Sequence, residues 1–453
     1  MKYIIKRVII YALLALSVAV ISCREEYGLK PGPAAVNGEF RPGTDFLNTD
    51  GPVSLRGEWK FRWLEDDPSF ANPDYDDSSW PLLETKGYWT GLTGSGTGYG
   101  WYRLHIIFDG TVPAAGTKLG LSIPYIKSAY DLYVNGIYAG SSGKFGKSIN
   151  ESVPQVRPEL VTIQVPAPGG ELVIAARVSN FHHREGGFFE TPQLGRFDDL
   201  REGLWRKDFI NILLIGLIFM MGLYHFLIWL GRREDRASLY FTMGSFVIFF
   251  RSMAVNSYFE MLFPQAGLFE FKFKIIYISL AAGVSSFILF FNEIYGWGFN
   301  RKALKVTLYV CITLVMLTLL FPCRVYSRIS YIYEGLVLFA GMWMTTVTII
   351  AAIKRKRWSA YLLPGCALLF FTGINDLLVI KLVIDTPQVA AAGMGGLMVC
   401  QAMVLSARYA WAYKKAEHLS RNLRDEVEIK TGHLLERTKE AEDARREIEK
   451  AHA

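Results

Sequence analysis

Phe209-Ile-Asn-Ile-Leu-Leu-Ile-Gly-Leu-Ile-Phe-Met-Met-Gly-Leu-Tyr-His-Phe-Leu-Ile-Trp-Leu230 contains no Asp, Glu, Lys or Arg. About 20 apolar residues in a helix rising 1.5 Å per residue cross a hydrocarbon layer of about 30 Å, so this stretch reads as a membrane span. Six more apolar segments follow, at 239–259, 273–292, 303–321, 329–353, 359–384 and 388–411. The loops between them differ in charge. One side carries Arg232, Arg233 and Arg236, then Arg301, Lys302 and Lys305, then Lys354 to Arg357, with Lys414 and Lys415 after the last span. The other side carries only Lys272, Lys274, Arg324, Arg328 and Lys381. Cationic loops stay in the cytoplasm, which places everything before the first span outside and the C-terminus inside.

Charges within such spans are costly and call for partners. Arg251 in the second span and Asp376 in the sixth fall at similar depths, and Glu334 enters the fifth from the outer side. Arg251 and Asp376 are expected to form an intramembrane pair, as a switch or as a static contact, with snorkelling of Arg251 as the alternative. No pair of Gly/Pro-broken half-helices repeats across the bundle, which argues against a transporter.

Upstream, residues 40–204 change periodicity. Tyr102, Leu104, Ile106 and Phe108 alternate with their neighbours, as do Leu119, Leu121 and Ile123, then Tyr130, Leu132 and Val134. Asn135-Gly136 follows, a pair suited to a tight hairpin turn. Val161, Ile163 and Val165, then Leu172, Ile174, Ala176 and Val178, add further short strands. About 160 residues in such strands predict one all-β sandwich. No cysteine occurs between residues 24 and 310, so its stability must come from its core rather than from disulfides. Before it, Lys2, Lys6 and Arg7 precede an apolar run ending Val20-Ile-Ser-Cys23, the order of a secretory signal. Residues 1–23 are therefore expected to direct export, with Cys23 as a lipidation site or the segment as an uncleaved anchor; 24–39 reads as a tether.

Gly57-Glu-Trp-Lys-Phe, Asp77-Ser-Ser-Trp-Pro81, Gly100-Trp-Tyr-Arg103 and Asp131-Leu-Tyr-Val-Asn-Gly136 resemble the sugar-binding jelly roll of glycoside hydrolase family 2. Val178-Ser-Asn-Phe-His-His-Arg-Glu-Gly-Gly187 with Leu194-Gly195, and Gly216 to His225 with Arg232 to Phe241, resemble the seven-transmembrane receptors with diverse intracellular signalling modules. The resemblance covers roughly residues 40–411 and implies a receptor with a jelly-roll ectodomain for carbohydrate or related ligands. Trp59 and Trp80 read as core aromatics. His182, His183, Phe188 and Glu190 gather polar and aromatic groups on a Gly-flanked loop, which suits a sugar pocket. Trp89, Tyr99 and Trp101 border the Gly-rich stretch 91–100 and rank second. Adjacent histidines lack a third ligand at metal spacing, so no metal or cofactor is expected. No enzyme is expected either, because the catalytic barrel of the resembled hydrolases has no counterpart here.

After Lys414 charge dominates. Leu423, Val427, Lys430, Leu434, Arg437, Ala441, Ala444, Ile448 and Ala451 follow heptad spacing, and Leu435-Glu-Arg-Thr438 resembles helices that join sensors to enzymes. Residues 414–453 are expected to form a cytoplasmic coiled coil that makes the protein a homodimer. The formal net charge is +7 but forms no basic face, which excludes nucleic-acid partners. The expected whole is a multidomain protein of the bacterial inner membrane: jelly-roll sandwich outside at 40–204, seven-helix bundle in lipid at 205–413, coiled coil within. It would relay a small, carbohydrate-like ligand to a cytoplasmic signalling enzyme in cis or in trans. The alternative is a membrane-anchored binding or transport accessory without a gated output.

Overall fold

The computed structural model describes residues 33–42, 51–108, 118–163 apart from 125, 170–263, and 267–451 apart from 297, 357, 382, 385 and 387. The expected signal segment with Cys23, and the tether up to residue 32, lie outside that set.

The alternation of the upstream region becomes a β-sandwich. Its larger sheet runs Ile137–Ser142, Ala129–Val134, Glu171–Asn180, Gly98–Ile107, Gly57–Trp63 and Leu82–Thr85, with Glu39–Phe40 added in parallel to Gly98–Ile107. A second sheet runs Glu159–Ile163, Leu119–Ile123, Gln193–Arg196 and Val53–Ser54. Tyr102, Leu104 and Ile106 from one sheet share a buried core with Leu119, Leu121 and Ile123 from the other. Asn135 and Gly136 both adopt positive φ, 49° and 77°, and turn Ala129–Val134 back into Ile137–Ser142.

Two features differ from the alternating pattern. The tether ends earlier than expected: Ala35 is buried and bridges Gly57, and Glu39–Phe40 pairs with His105 and Ile106. Gly57 has φ +115°, and a Cβ there would stand 2.3 Å from the Ala35 carbonyl oxygen, so this crossing needs glycine. The central strand Gly98–Ile107 is also covered on both faces. Phe70 and Trp80 from the preceding segment pack with Trp101 on the face away from the sandwich core.

The helical region contains α1 (Phe197–Gly231), α2 (Arg236–Val255), α3 (Phe269–Tyr295), α4 (Arg301–Leu320), α5 (Ser330–Ile353), α6 (Ser359–Ile380) and α7 (Ala390–Ala451). Among the described residues, α1 to α6 are long and apolar enough to cross a membrane; the seventh expected span forms the first part of α7. The second and sixth spans stop earlier than expected, at Val255 and Ile380. Local chemistry sets several ends. Asp235 accepts the Ser238 N–H at the start of α2, and Asn300 accepts those of Lys302 and Ala303 at the start of α4. Gly365 and Gly393 let α6 and α7 approach closely: a Cβ on Gly365 would stand 2.9 Å from the Leu397 Cα. Stacked Trp205 and Phe209 near the start of α1 lie about 36 Å and about 30 Å along the helix from Trp229. Arg233 covers the Trp229 ring at 4.2 Å, giving the aromatic girdle of a membrane boundary.

Both junctions are continuous. The sandwich strand Gln193–Arg196 enters α1 with no intervening loop. Leu200, one turn in, is buried against the sandwich over Gly120, where a Cβ would meet Leu200 Cδ1 at 3.0 Å. At the other end α7 extends for 62 residues, about 90 Å. Beyond Trp411 its described side chains are exposed, including Leu423, Val427, Leu434 and Ile448 of the expected seam. The helix is present; its pairing with a second chain is a separate matter.

Candidate functional site

The loop after Glu171–Asn180 carries His182 and His183, and the strand's last residue holds it in place. Asn180 accepts the His183 N–H at 3.1 Å and donates from its amide to the carbonyls of Gly96 (2.7 Å) and His183 (2.8 Å). The Glu185 N–H donates to His183 Nδ1 at 3.1 Å. The Glu185 carbonyl lies 3.2 Å from the same nitrogen, so both backbone groups of Glu185 address Nδ1. Burial, with Lys127 nearby, holds the His183 pKa well below its ordinary value, so the ring is neutral at physiological pH. Glu185 is shared between Arg184 at 2.6 Å and Lys127 at 3.5 Å. Burial also lowers the Lys127 pKa, and its ammonium lies 5.3 Å from the ring centres of Tyr88 and Phe189.

This loop does not face open solvent. His182 meets Phe269 edge-on at 6.2 Å and the His183 ring lies 5.2 Å from Phe273, both at the start of α3. The Arg184 N–H donates to Ser327 Oγ at 3.2 Å, in the turn before α5. A second sandwich loop adds Val156, which is buried within the apolar core of the helices. Its carbonyl accepts from Lys272 at 3.5 Å, while Lys272 also donates to Ser257 (2.6 Å) and pairs with Glu260 (3.2 Å). Glu270 accepts the Cys323 N–H at 2.9 Å and so ties the turn 323–329 to α3. The sandwich and the adjacent ends of the helices thus meet along a seam that is apolar at its centre.

Beside this seam lies a cavity of about 390 Å³, within the size range of small-ligand sites. Thr97, Lys147, Phe181 and His183 wall it from the sandwich, and Arg324 and Arg328 from the helical region. Aromatic, hydroxyl, imidazole and cationic groups therefore converge on one space, six of its lining residues coming from the sandwich and two from the helical region.

Of the seven ligand residues expected from sequence, the structure brings His183 into this wall and sets His182 at its docked edge. Three expected ring platforms are corrected to core. Trp89 stacks on Phe61 and Tyr102, Phe188 packs on Trp59 and Tyr102, and Trp101 lies under Phe70 and donates its indole N–H to Asp66 at 3.1 Å. All three are almost wholly buried, so no face is free to stack on a ligand. Tyr99 donates to the Leu64 carbonyl at 3.0 Å, and Glu190 is half-buried beyond Phe189, outside the cavity wall. Lys147, Phe181, Arg324 and Arg328 escaped the sequence reading, which used the two arginines only to orient the loops. Their spacing of four on one helical turn after Pro322 was the available signal.

The intramembrane charges each have local partners. Arg251 donates to the Ile276 carbonyl (2.8 Å) and Ser279 Oγ (3.2 Å). Asp376 accepts the N–H groups of Val389 (2.7 Å) and Ala390 (3.1 Å) at the entry to α7, and lies within electrostatic reach of Arg251. Glu334 pairs with Lys381 at 2.9 Å. At the ends of the helices away from the sandwich, the Tyr409 hydroxyl of α7 donates to Asp235 at 3.0 Å, the residue that caps α2. Among the described residues no cluster of His, Cys, Asp and Glu is arranged to hold a metal ion.

Residues 207–408 match the family model described as 7TM diverse intracellular signalling. Part of the chain is similar to a glycosyl hydrolase family 2 member from Bacteroides cellulosilyticus DSM 14838, at 21% identity over 32% of this chain and 20% of that one, TM-score 0.26. It is similar also to Bacteroides uniformis beta-glucuronidase (18%, 32% and 17%, TM-score 0.26) and to Ruminococcus gnavus beta-glucuronidase (16%, 32% and 27%, TM-score 0.24). The chain spans less than a third of the length of these enzymes. Among curated proteins none matches.

Proposed function

We propose, from the premise that residues 207–408 form a 7TM diverse intracellular signalling domain, that this chain is a ligand-gated receptor whose ligand binds at the seam between sandwich and helices. The sandwich lies outside the cytoplasmic membrane and α7 carries the signal inward to an enzyme in cis or in trans. The ligand is small and carbohydrate-like, held by aromatic and hydroxyl contacts. The supporting observation is the shared cavity: a molecule touching Phe181 and His183 on one wall also touches Arg324 and Arg328 on the other. Binding there changes how firmly the two domains dock, and a ligand moves an equilibrium only through such differential contact. Catalysis is no part of this reading.

The test is a thermal-shift screen of the full chain in lipid nanodiscs against sugars and small metabolites. Compounds that stabilise it are then added to a Leu423→Cys variant, and disulfide-linked dimers are counted with and without ligand. A stabilising compound that changes cross-linking supports a gated receptor. One that binds and leaves cross-linking unchanged assigns the chain to ligand capture without output.

A further inference from the structure

We infer that the seam cavity selects ligands bearing an anionic group, a carboxylate or phosphate, which closes the two domains on each other. This rests on the cavity being the receptor's ligand site and adds the chemical class. The charges facing it are Lys147 from the sandwich and Arg324 and Arg328 from the turn before α5, with no acid in its wall. Lys147 is partly neutralised by Asp66 at 3.0 Å. Arg324 and Arg328 have no ion-pair or hydrogen-bond partner among the described residues, and both are solvent-exposed. The nearest acids of the seam are already engaged: Glu185 with Arg184 and Lys127, Glu270 with the Cys323 N–H and the Tyr326 hydroxyl.

Three cations from two domains therefore face one space whose wall holds no acid, and the counter-charges beside it, Asp66 and Glu151 near Lys147, lie on the sandwich side. Docking the empty domains brings like charges together, and an anion between them reverses the sign of that contact. Guanidinium groups grip carboxylate and phosphate oxygens through paired N–H donors. Thr97, Ser148 and the His183 imidazole offer uncharged polar contacts to the remainder of such a ligand, and Phe181 offers a ring face. The same anionic chemistry is present in a free solute and in the headgroup of an acidic phospholipid, since the cavity opens beside the outer ends of the helices.

Matched probes decide it. The full chain in phosphatidylcholine nanodiscs is melted with galacturonate, galactose or inorganic phosphate, and separately after a part of the lipid is replaced by phosphatidylglycerol. Stabilisation by galacturonate or phosphate but not by galactose, weakened about tenfold in an Arg324→Gln/Arg328→Gln variant and reduced by added salt, supports a soluble anionic ligand. Stabilisation by phosphatidylglycerol alone, lost in the same variant, supports the site with a lipid headgroup as the source. Lys147→Gln should weaken either response to a smaller degree. Equal stabilisation by galactose and galacturonate overturns the anionic class while leaving the receptor reading intact, as does an anion response that the double variant does not change. An anion that binds through the arginines without altering α7 cross-linking leaves this inference standing and defeats the receptor reading instead.

Discussion

His105 sits between two carboxylates on the outer face of the sandwich. Its Nε2 meets Asp77 at 2.8 Å and its Nδ1 meets Glu171, while Asp77 also accepts from buried Arg103 at 2.6 Å. The hydrogen bond to Asp77 raises the His105 pKa; burial opposes this, and Glu171 adds to the rise. Burial pushes Asp77 up, yet the His105 and Arg103 hydrogen bonds outweigh it and hold the carboxyl below its ordinary value. The signs give a window. A histidine with a raised folded pKa contributes fully below about pH 6.5 and loses that contribution as pH climbs through the folded value. Asp77 contributes above its unfolded value, about pH 4, and fails as pH drops through its folded one. Between pH about 6 and about 8.5 the Tm of the sandwich should fall by about 2–4 °C, the effect of roughly 1 kcal/mol in a domain of this size. In His105→Gln that slope should be absent; an unchanged slope in thermal melts at the two pH values would show that another group sets it. Little of this cluster was legible beforehand. Alternation identifies Tyr102, Leu104 and Ile106 as core, but says nothing of the opposite face, where Trp101 and Arg103 are covered by a segment about thirty residues upstream. A ring read as a ligand platform can be core when a distant loop roofs it, and period-two patterning carries no record of the roof.

At the level of elements, hydropathy was sufficient for the helices, because each span must satisfy the bilayer by itself. Their ends were less legible, since α2 stops at Val255 and a short separate helix, Tyr258–Leu262, begins before the expected end of that span at residue 259. The seam between domains was illegible for a different reason: Val156, His183 and Arg324 are brought together by tertiary docking over more than a hundred residues of chain. Transmission is the element-scale proposal. Leu423, Val427 and Leu434 are exposed on a helix that continues from the membrane, and a second copy of α7 would cover them. Lys430 sits in that seam, engaged with Glu426 at 2.7 Å, and keeps it marginal. Cysteine at Leu423 or Leu434 should give disulfide-linked dimers in membranes, and cysteine at Glu428 should give few. Cross-linking at Glu428 that exceeds both would displace the seam. The Tyr409–Asp235 bond belongs to the same path, because it fastens α7 to the cap of α2 at the end of the bundle away from the sandwich. Tyr409→Phe should leave the protein folded and shift cross-linking at Leu423 toward the ligand-bound level; no shift would remove this bond from the path.

Over the whole molecule, orientation follows from the loops: Lys354 to Arg357 are cytoplasmic and Arg324 and Arg328 external under the proposed topology. In intact cells a membrane-impermeant maleimide should label cysteine placed at Arg328 and spare cysteine placed at Arg355; the reverse pattern would invert the protein. The unbroken passage from Gln193–Arg196 into α1 has a consequence for any attempt to exchange sandwiches between such chains. A helix turns about 100° per residue, so one residue added or deleted between Arg196 and Leu200 swings the grafted domain by nearly a third of a revolution. Val156 and His183 would then point away from α3, and the graft would fold without ever reaching its partner surface. Chimeras of this protein are therefore a problem of angular phase, solvable only in whole turns.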